Sequence, residues 1–522
     1  MRKVMVIHPL LFGLYPILAF YTFNMSSVDE RQMIRSLLVA AAASLLLYHT
    51  LRPAFKNGHK AGLLTSCLLM LFLSYGHMLA GVKKIAFIAH RQFLSPSHIV
   101  LFISGSIILI TAGLLIKTRK DLSILTKIAN VISISAVLMS ISGICAFKVM
   151  TRVSGERVLS QEIPRVSPVP PGHLPNIFFI VLDAYANQDV LRQVYGYDNS
   201  DFLAHLRSRG FYIADRSYAN YCQTLLSFAS TLNFEYLDPL IRRVGVDNQS
   251  HRWLTEALRD NRAFPLLRSL GYQTVTFNAG GNWDAVVIQN ADFFYEYEKA
   301  RLNSFEQELL NTTPLAAMMG RGQSGVAGQY IAHRKRILYA FDKMEELSKK
   351  RGPFFVFAHL LTPHEPFVFN ERGEEVIPSR DTFTIWCWDP EFRKGYRENY
   401  RKQIAYLDKR VSKLVDVILA NSPQPPVIVI QADHGPSLML DREDADKTDL
   451  KERMGILNAY YLPGGGEDNL YPSISPVNTL RVIFNQYFHT SYELLEDRSF
   501  FSTWSHPYRL VEVTQRLKDS PQ

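Results

Sequence analysis

Long unbroken apolar runs fill the first 150 residues, and shorter apolar runs alternating with amphipathic stretches fill the rest. Five segments approach the roughly 20 residues needed to cross about 30 Å of hydrocarbon: 5–23, 35–51, 61–80, 98–117 and 128–147. Met1-Arg2-Lys3 before the first run is also how a signal peptide begins. No Ala-x-Ala-like cleavage site follows and four further runs do, so the first run reads as a retained helix. The alternative, five consecutive buried helices in a large soluble core with only short polar loops between them, is rare among soluble folds. Beyond residue 175 the pattern predicts strands at NIFFIVLD (176–183), PFFVFAHL (353–360), VIVIQ (427–431) and LNAYYLP (457–463). Helices are predicted at 200–210, around 331–351, around 396–421 and at 475–488, and 263–281 reads as helix, Gly271 stop, strand and glycine turn. Continuous apolar strands separated by helices predict a mostly parallel sheet covered on both faces, an α/β domain following a multi-span α-helical membrane domain.

The implied domain boundaries are 1–150 for the membrane part, 151–175 for a linker and 176–510 for the α/β domain. The linker ends in VSPVPPGHLPN, whose prolines disfavour both helix and strand. Basic residues in the short loops set the orientation. With the N-terminus inside, inner loops carry Arg2, Lys3, Arg52, Lys56, Lys60, Lys117, Arg119, Lys120 and Lys127, against Arg31, Arg35, Lys83, Lys84 and Arg91 outside. Five spans then put the α/β domain beyond a bacterial inner membrane, in the periplasm or outside the cell.

A mean hydropathy of -0.02 averages these two unlike parts. The net charge of +9 lies partly in the membrane loops, and no Lys/Arg stripe interleaved with aromatics appears, so nucleic acid is not an expected partner. A basic outer domain suits anionic lipid head groups better. Four cysteines exclude a disulfide scaffold, leaving Cys222 and Cys387 as a single candidate bridge. Oligomeric state is not specified by the sequence.

The chemistry lies at the predicted strand ends, where α/β sheets bind ligands. The strand at 176–183 ends in Asp183, that at 353–360 in His359 with His364 following, and that at 427–431 leads into Asp433-His434. Any one of these alone reads as a turn, cap or structural residue. Together, two carboxylates and an imidazole suit one divalent metal ion, Zn²⁺ or Mn²⁺. A nucleophile is offered by Thr224, which precedes the helical pattern LLSFASTL, where an N-terminal hydroxyl meets the backbone N–H groups that favour phosphate. The bland alternative is that Thr224 is an N-cap. Asp408, in the helix around 396–421, reads as structural, and Trp386 and Trp388 either line a lipid or sugar approach or are buried against the domain.

The ordered set IFFIVLDAY, CQTLLSFAS, HLLTPHEPF, IVIQADHG and ILNAYYLPG…YPSISPVNTLRVI resembles the sulfatase-like branch of the alkaline phosphatase superfamily. The spans before it make the chain similar to membrane-bound members such as lipoteichoic acid synthase and the lipid A phosphoethanolamine transferases. The resemblance implies metal ligands at Asp183, Thr224, Asp433 and His434, attack by Thr224 on phosphorus, and a substrate-phosphate contact at His364, with His359 as the alternative. Transferases of this type carry Glu where this chain has Asp183. Formylglycine sulfatases need Cys-x-Pro-x-Arg; Cys222 is followed by Gln-Thr-Leu-Leu, and Ser227 lies three after Thr224 as it does after the family's nucleophile. Sulfatases also tend to carry Asn at the position of His434. The expected activity is therefore phosphotransfer in the cell envelope, from a membrane lipid donor to a glycan or lipid acceptor, through a phospho-threonine. The alternatives are hydrolysis of phosphate or sulfate esters at the same residues, and a non-catalytic envelope scaffold.

Overall fold

A computed structural model describes residues 4–25, 30–88, 95–153, 174–279, 290–297, 302–315, 324–377, 393 and 395–519. The chain divides into two compact units, one of residues 1–155 with 300–325, the other of 156–299 with 326–522. Most of the linker, and Trp386, Cys387 and Trp388, lie outside the described residues.

The first unit holds six helices in succession: α1 (His8–Asn24), α2 (Arg31–Phe55), α3 (Gly58–Leu73), α4 (Tyr75–Ile88), α5 (Pro96–Lys117) and α6 (Ser123–Val153). Of these, α2, α5 and α6 are long and apolar enough to cross a membrane. α3 and α4 meet at a bend of 53° and make a fourth span if the pair is counted as one. α1 is 17 residues long, at the lower end of what spans hydrocarbon. Helix packing where apolar surface gives no selectivity relies on small residues. A Cβ at Gly13 of α1 would lie 2.1 Å from the Ser44 hydroxyl of α2, so alanine there would make that hydroxyl rotate off Ala40 O. Backbone donors at the start of α1 have no local side-chain cap; Asn130 of α6 supplies one, accepting from Ile7 N at 3.2 Å and His8 N at 3.0 Å.

A segment far along the chain also belongs to this unit. The helix Ser304–Asn311 opens with a capping box between Asn303 and Glu306. Glu306 pairs with Arg35 of α2, Phe305 is buried against Ile17 and Tyr21 of α1, and Thr312 O accepts from Gly76 N at 2.8 Å. Nothing in the apolar pattern marks this grouping, because the segment is short and polar.

The second unit is built on a seven-stranded sheet of β1 (Ile177–Leu182), β2 (Tyr212–Ile213), β3 (Gln273–Phe277), β4 (Phe293–Tyr295), β5 (Phe354–Leu360), β6 (Val427–Gln431) and β7 (Asn458–Tyr461). Their order is β2-β7-β6-β1-β5-β3-β4. From β6 to β4 the pairs are parallel, while β7 and β2 are antiparallel at one edge. Alternate residues of β1 serve two cores, Phe178, Ile180 and Leu182 on one face and Ile177, Phe179 and Val181 on the other. That double burial is why β1 reads as an unbroken apolar run. Four of the longer helices in this part of the chain are α7 (Thr224–Asn233), α8 (Ser324–Ser348), α9 (Tyr396–Asn421) and α10 (Pro476–Phe488). The expected helix bounds hold for α9 and nearly for α10, whereas α8 begins seven residues earlier than its pattern predicts.

Asp408 of α9 is buried and accepts from Tyr185 Oη at 2.5 Å and Tyr197 Oη at 2.8 Å. Burial pushes its carboxyl up to about 7, against the two hydroxyl donors. Between pH 4 and 7 the folded chain therefore keeps a proton that the unfolded chain has lost, and this group's contribution falls as pH rises, by at most about 1.4 kcal/mol per unit. Asp408→Asn removes the effect. The unfolding temperature of the variant, measured against wild type in detergent, should rise relative to it from pH 4 to 7 and then level off; parallel profiles would refute the assignment.

Candidate active site

Register brings the site together. Val181 of β1 pairs with His359 of β5 and with Gln431 of β6, so three adjacent parallel strands end level. Asp183, one residue past β1, continues the ladder by donating its N–H to Leu360 O at 3.0 Å. Asp433 and His434 follow β6 by two and three residues. Ala184 next turns the chain through φ +64, a left-handed conformation that L-residues rarely adopt. Its N–H points to Asp433 Oδ1 at 3.3 Å.

One ligand atom from each of Asp183, Asp433 and His434 lies within 4.8 Å of the others, and all three residues are buried. His434 Nδ1 lies 2.9 Å from Gly435 O. A carbonyl only accepts, so Nδ1 carries the proton and Nε2 presents its lone pair. Burial first, then Arg453, depresses the imidazole's pKa well below its ordinary value, which keeps it neutral. Nε2 faces Asp433 Oδ2 at 3.4 Å and Asp183 Oδ1 at 3.8 Å. Those two carboxylate oxygens are the ones with no hydrogen-bond partner. Three lone-pair donors facing one another in a buried space are what a divalent cation requires, and the set fits one.

The electrostatics agree. Burial opposes ionisation of Asp183, yet His364 and the hydrogen bond from His359 hold its carboxyl well below the usual range. Burial and the neighbouring Asp183 charge push Asp433 up to about 7. Two carboxylates driven apart in this way lack one positive charge between them.

Thr224 is the first residue of α7, and its Oγ1 lies 3.0 Å from His434 Nε2. The N-cap is Gln223, so the bland reading of Thr224 as a cap does not hold. Gln223 makes no capping bond; its Nε2 donates to Ser502 O and Thr503 O instead. Ser227, one turn on, donates to Asp433 O at 2.9 Å and locks α7 against the Asp-His turn. His359 donates to Asp183 Oδ2 at 2.9 Å and so fixes which oxygen of that carboxylate is left open. His364 is 6% exposed, with its ring 6.3 Å from that of His434. Burial would lower its pKa, but Glu365 and Asp183 raise it overall. All six residues singled out in the sequence thus converge in one place.

Several neighbours carry no sequence signal. Arg453 is buried and donates to Cys222 O at 2.6 and 2.8 Å and to Gly435 O at 2.8 Å, tying the Thr224 approach to the His434 turn. His333 of α8 is buried and hydrogen-bonds the Leu361 backbone, its pKa pushed down to about 3 by burial, with Arg336 and His364 adding to the effect. Cys222 is a buried free thiol that accepts from Ser502 N at 3.3 Å, and its candidate partner Cys387 lies outside the described residues.

The sulfatase family model matches residues 175–481, more than half of the chain and every residue of this cluster. The chain belongs to the sulfatase family. Among solved structures, it is similar to the C-terminal periplasmic domain of phosphoethanolamine transferase EptC from Campylobacter jejuni, at 13% identity and TM-score 0.39, covering 62% of this chain and 92% of that one. The corresponding EptC domain from Escherichia coli, in complex with Zn, matches at 12% identity and TM-score 0.44, covering 70% and 98%. The integral membrane lipooligosaccharide phosphoethanolamine transferase A from Neisseria meningitidis matches at 13% and 0.39, covering 92% and 95%. Likeness at these values carries nothing about chemistry. No curated protein sequence matches the chain.

Within this sulfatase-family site, the surroundings of Gly435 explain why glycine comes directly after Asp-His. A Cβ there would sit 1.9 Å from Glu452 O, and Gly435 N donates to Arg453 O at 2.7 Å. Gly435→Ala should cost about 1–3 kcal/mol by overpacking. It should also lower metal affinity, because His434 must shift. An unfolding temperature and zinc affinity equal to wild type would contradict the geometry.

Proposed function

We propose that this protein is a metal-dependent phosphotransferase of the cell envelope that moves a phospholipid-derived head group to a glycan or lipid acceptor through a phospho-threonine. The observation that carries this reading is the Thr224 hydroxyl, at a helix start, 3.0 Å from an imidazole lone pair that also faces two unpartnered carboxylate oxygens. Asp183, Asp433, His434 and Thr224 would hold one divalent ion, Zn²⁺ or Mn²⁺. That ion would lower the pKa of the hydroxyl and offset charge on the transferred group.

The residues divide the remaining work. Thr224 Oγ1 forms the bond to phosphorus as the lipid alcohol leaves, and the hydroxyl proton goes to that alcohol. The acceptor hydroxyl then displaces Thr224 and returns a proton to it. His364, with its raised pKa, offers positive charge to the phosphate oxygens, while His359 orients Asp183. Membrane-capable helices in the same chain suit a lipid donor, and so does the periplasmic placement drawn from the loop charges. Phosphotransfer is favoured over sulfate-ester hydrolysis because the formylglycine motif is missing around Cys222 and Thr224 occupies the reacting position.

The detergent-solubilised chain, incubated with zinc and a head-group-labelled phospholipid, should accumulate label on Thr224, detected by peptide mass spectrometry. Thr224→Ala should abolish the adduct and slow turnover by at least about a thousandfold. Chelation should do the same, reversed by added Zn²⁺ or Mn²⁺. An adduct persisting in Thr224→Ala would sink the proposal, and release of the labelled head-group phosphate into water with no modified acceptor would favour the hydrolase. For the placement, a reporter active only in the periplasm should be active when fused to the C-terminus; a silent fusion of full-length protein would reverse the orientation.

A further inference from the structure

Three loops carry the candidate site: the turn after β1 with Asp183, the loop after β5 with His364, and the turn after β6 with Asp433 and His434. One helix outside the site touches all three. On α9, Tyr396, Tyr400 and Gln403 follow one another at spacings of four and three and so share a face. All three are buried. Tyr400 Oη donates to Ala184 O at 2.7 Å and accepts from Ala186 N at 3.2 Å. It therefore ties the carbonyl of the left-handed residue directly after Asp183 to the backbone N–H two residues on, while the N–H of Ala184 goes to Asp433 Oδ1. Gln403 donates to Pro363 O at 3.2 Å and His364 O at 3.3 Å, and accepts from Val368 N at 2.8 Å. Tyr396 accepts from Ser437 N at 3.2 Å and donates to Glu365 Oε2 at 3.1 Å.

We propose that this face of α9 is the positioning element of the site, with Tyr400 setting the Asp183 carboxylate for the metal and Gln403 setting His364 for the substrate phosphate. The inference rests on the functional reading above and deepens it by dividing metal and phosphate binding between two residues that touch neither. The division follows from geometry. A non-glycine residue at φ +64 relaxes toward other conformations once its hydrogen bonds are removed, and such relaxation would swing Asp183 away from Asp433. His364, in contrast, sits on a loop whose backbone carbonyls are held by the Gln403 amide; its own N–H donates to Asp183 O at 2.9 Å, so the loop meets the Asp183 turn through backbone, whereas the Gln403 side chain bonds no atom of that turn.

The test uses the full-length chain in detergent with two probes: zinc, titrated against a chromogenic chelator, and inorganic phosphate, titrated calorimetrically at saturating zinc. Tyr400→Phe should weaken zinc binding by about tenfold and leave phosphate affinity within about twofold, the usual scale for groups that orient a ligand. Gln403→Met should do the reverse. Because glycine adopts positive φ without penalty, Ala184→Gly added to Tyr400→Phe should recover most of the lost zinc affinity. A merely structural role lowers the folded fraction and moves both constants together or neither, and either pattern overturns the inference. If Tyr400→Phe does not accumulate, the Gln403→Met arm decides alone. Wild-type protein that binds no zinc removes the functional reading itself, a different outcome from wild-type binding that Tyr400→Phe fails to weaken.

Discussion

The second unit is organised around two buried carboxylates that face the same space. Asp183 and Asp433 lie just beyond adjacent parallel strands whose ends are level, so the sheet register forces them together. Each leaves one oxygen without a hydrogen-bond donor, and both are cut off from solvent. A buried like-charged pair costs several kcal/mol unless a proton or a cation sits between them. The surrounding side chains choose the cation. His359 and the Ala184 N–H occupy the other two oxygens, and His434, with its proton committed to Gly435, turns a lone pair into the gap where a proton donor would otherwise have gone.

The membrane-capable unit obeys the complementary constraint, in which backbone groups have no water to fall back on. Asn130 caps α1 from another helix, and His8 and Ser66 satisfy one another at 2.7 Å. Lys60 reaches back to Thr118 O at 2.8 Å, placing a basic group where the loop charges predict the inner face. In the second unit the open oxygens of Asp183 and Asp433 instead face one another's space beside His434.

Much of this was legible in the sequence. The strands β1, β5 and β6 are buried on both faces, so their continuous Val, Ile, Phe and Leu runs stand out, and the polar residues ending them have no other reason to be there. The bounds of α9 were equally readable from its amphipathic period. What was hidden depends on pairings between distant segments. Strand β7 has the same apolar run as the parallel strands, and its antiparallel direction comes from chain topology, which local periodicity does not encode. Arg453 sits in KERM and His333 in AHRKR, and both resemble ordinary surface positions until the chain folds them inward. Likewise, Tyr396, Tyr400 and Gln403 read as helix interior, since hydrogen bonds to loops as distant in sequence as Ala184 leave no trace in spacing.

The one-residue difference between Thr224 as N-cap and Thr224 as first helical residue decides what the hydroxyl can do. An N-cap oxygen accepts from its own helix's second or third N–H and is occupied in doing so. Here Gln223 holds the cap position, and its amide is drawn away to Ser502 and Thr503. The start of α7 is thus left with no side-chain cap, its dipole favouring an anion, while the Thr224 hydroxyl turns toward His434. His364, its pKa raised, adds a further site for negative charge close by. Under the proposed function, a single departure from ordinary capping would do two things at once: free the hydroxyl for reaction, and leave the helix end available to the phosphoryl oxygens that such a reaction would bring.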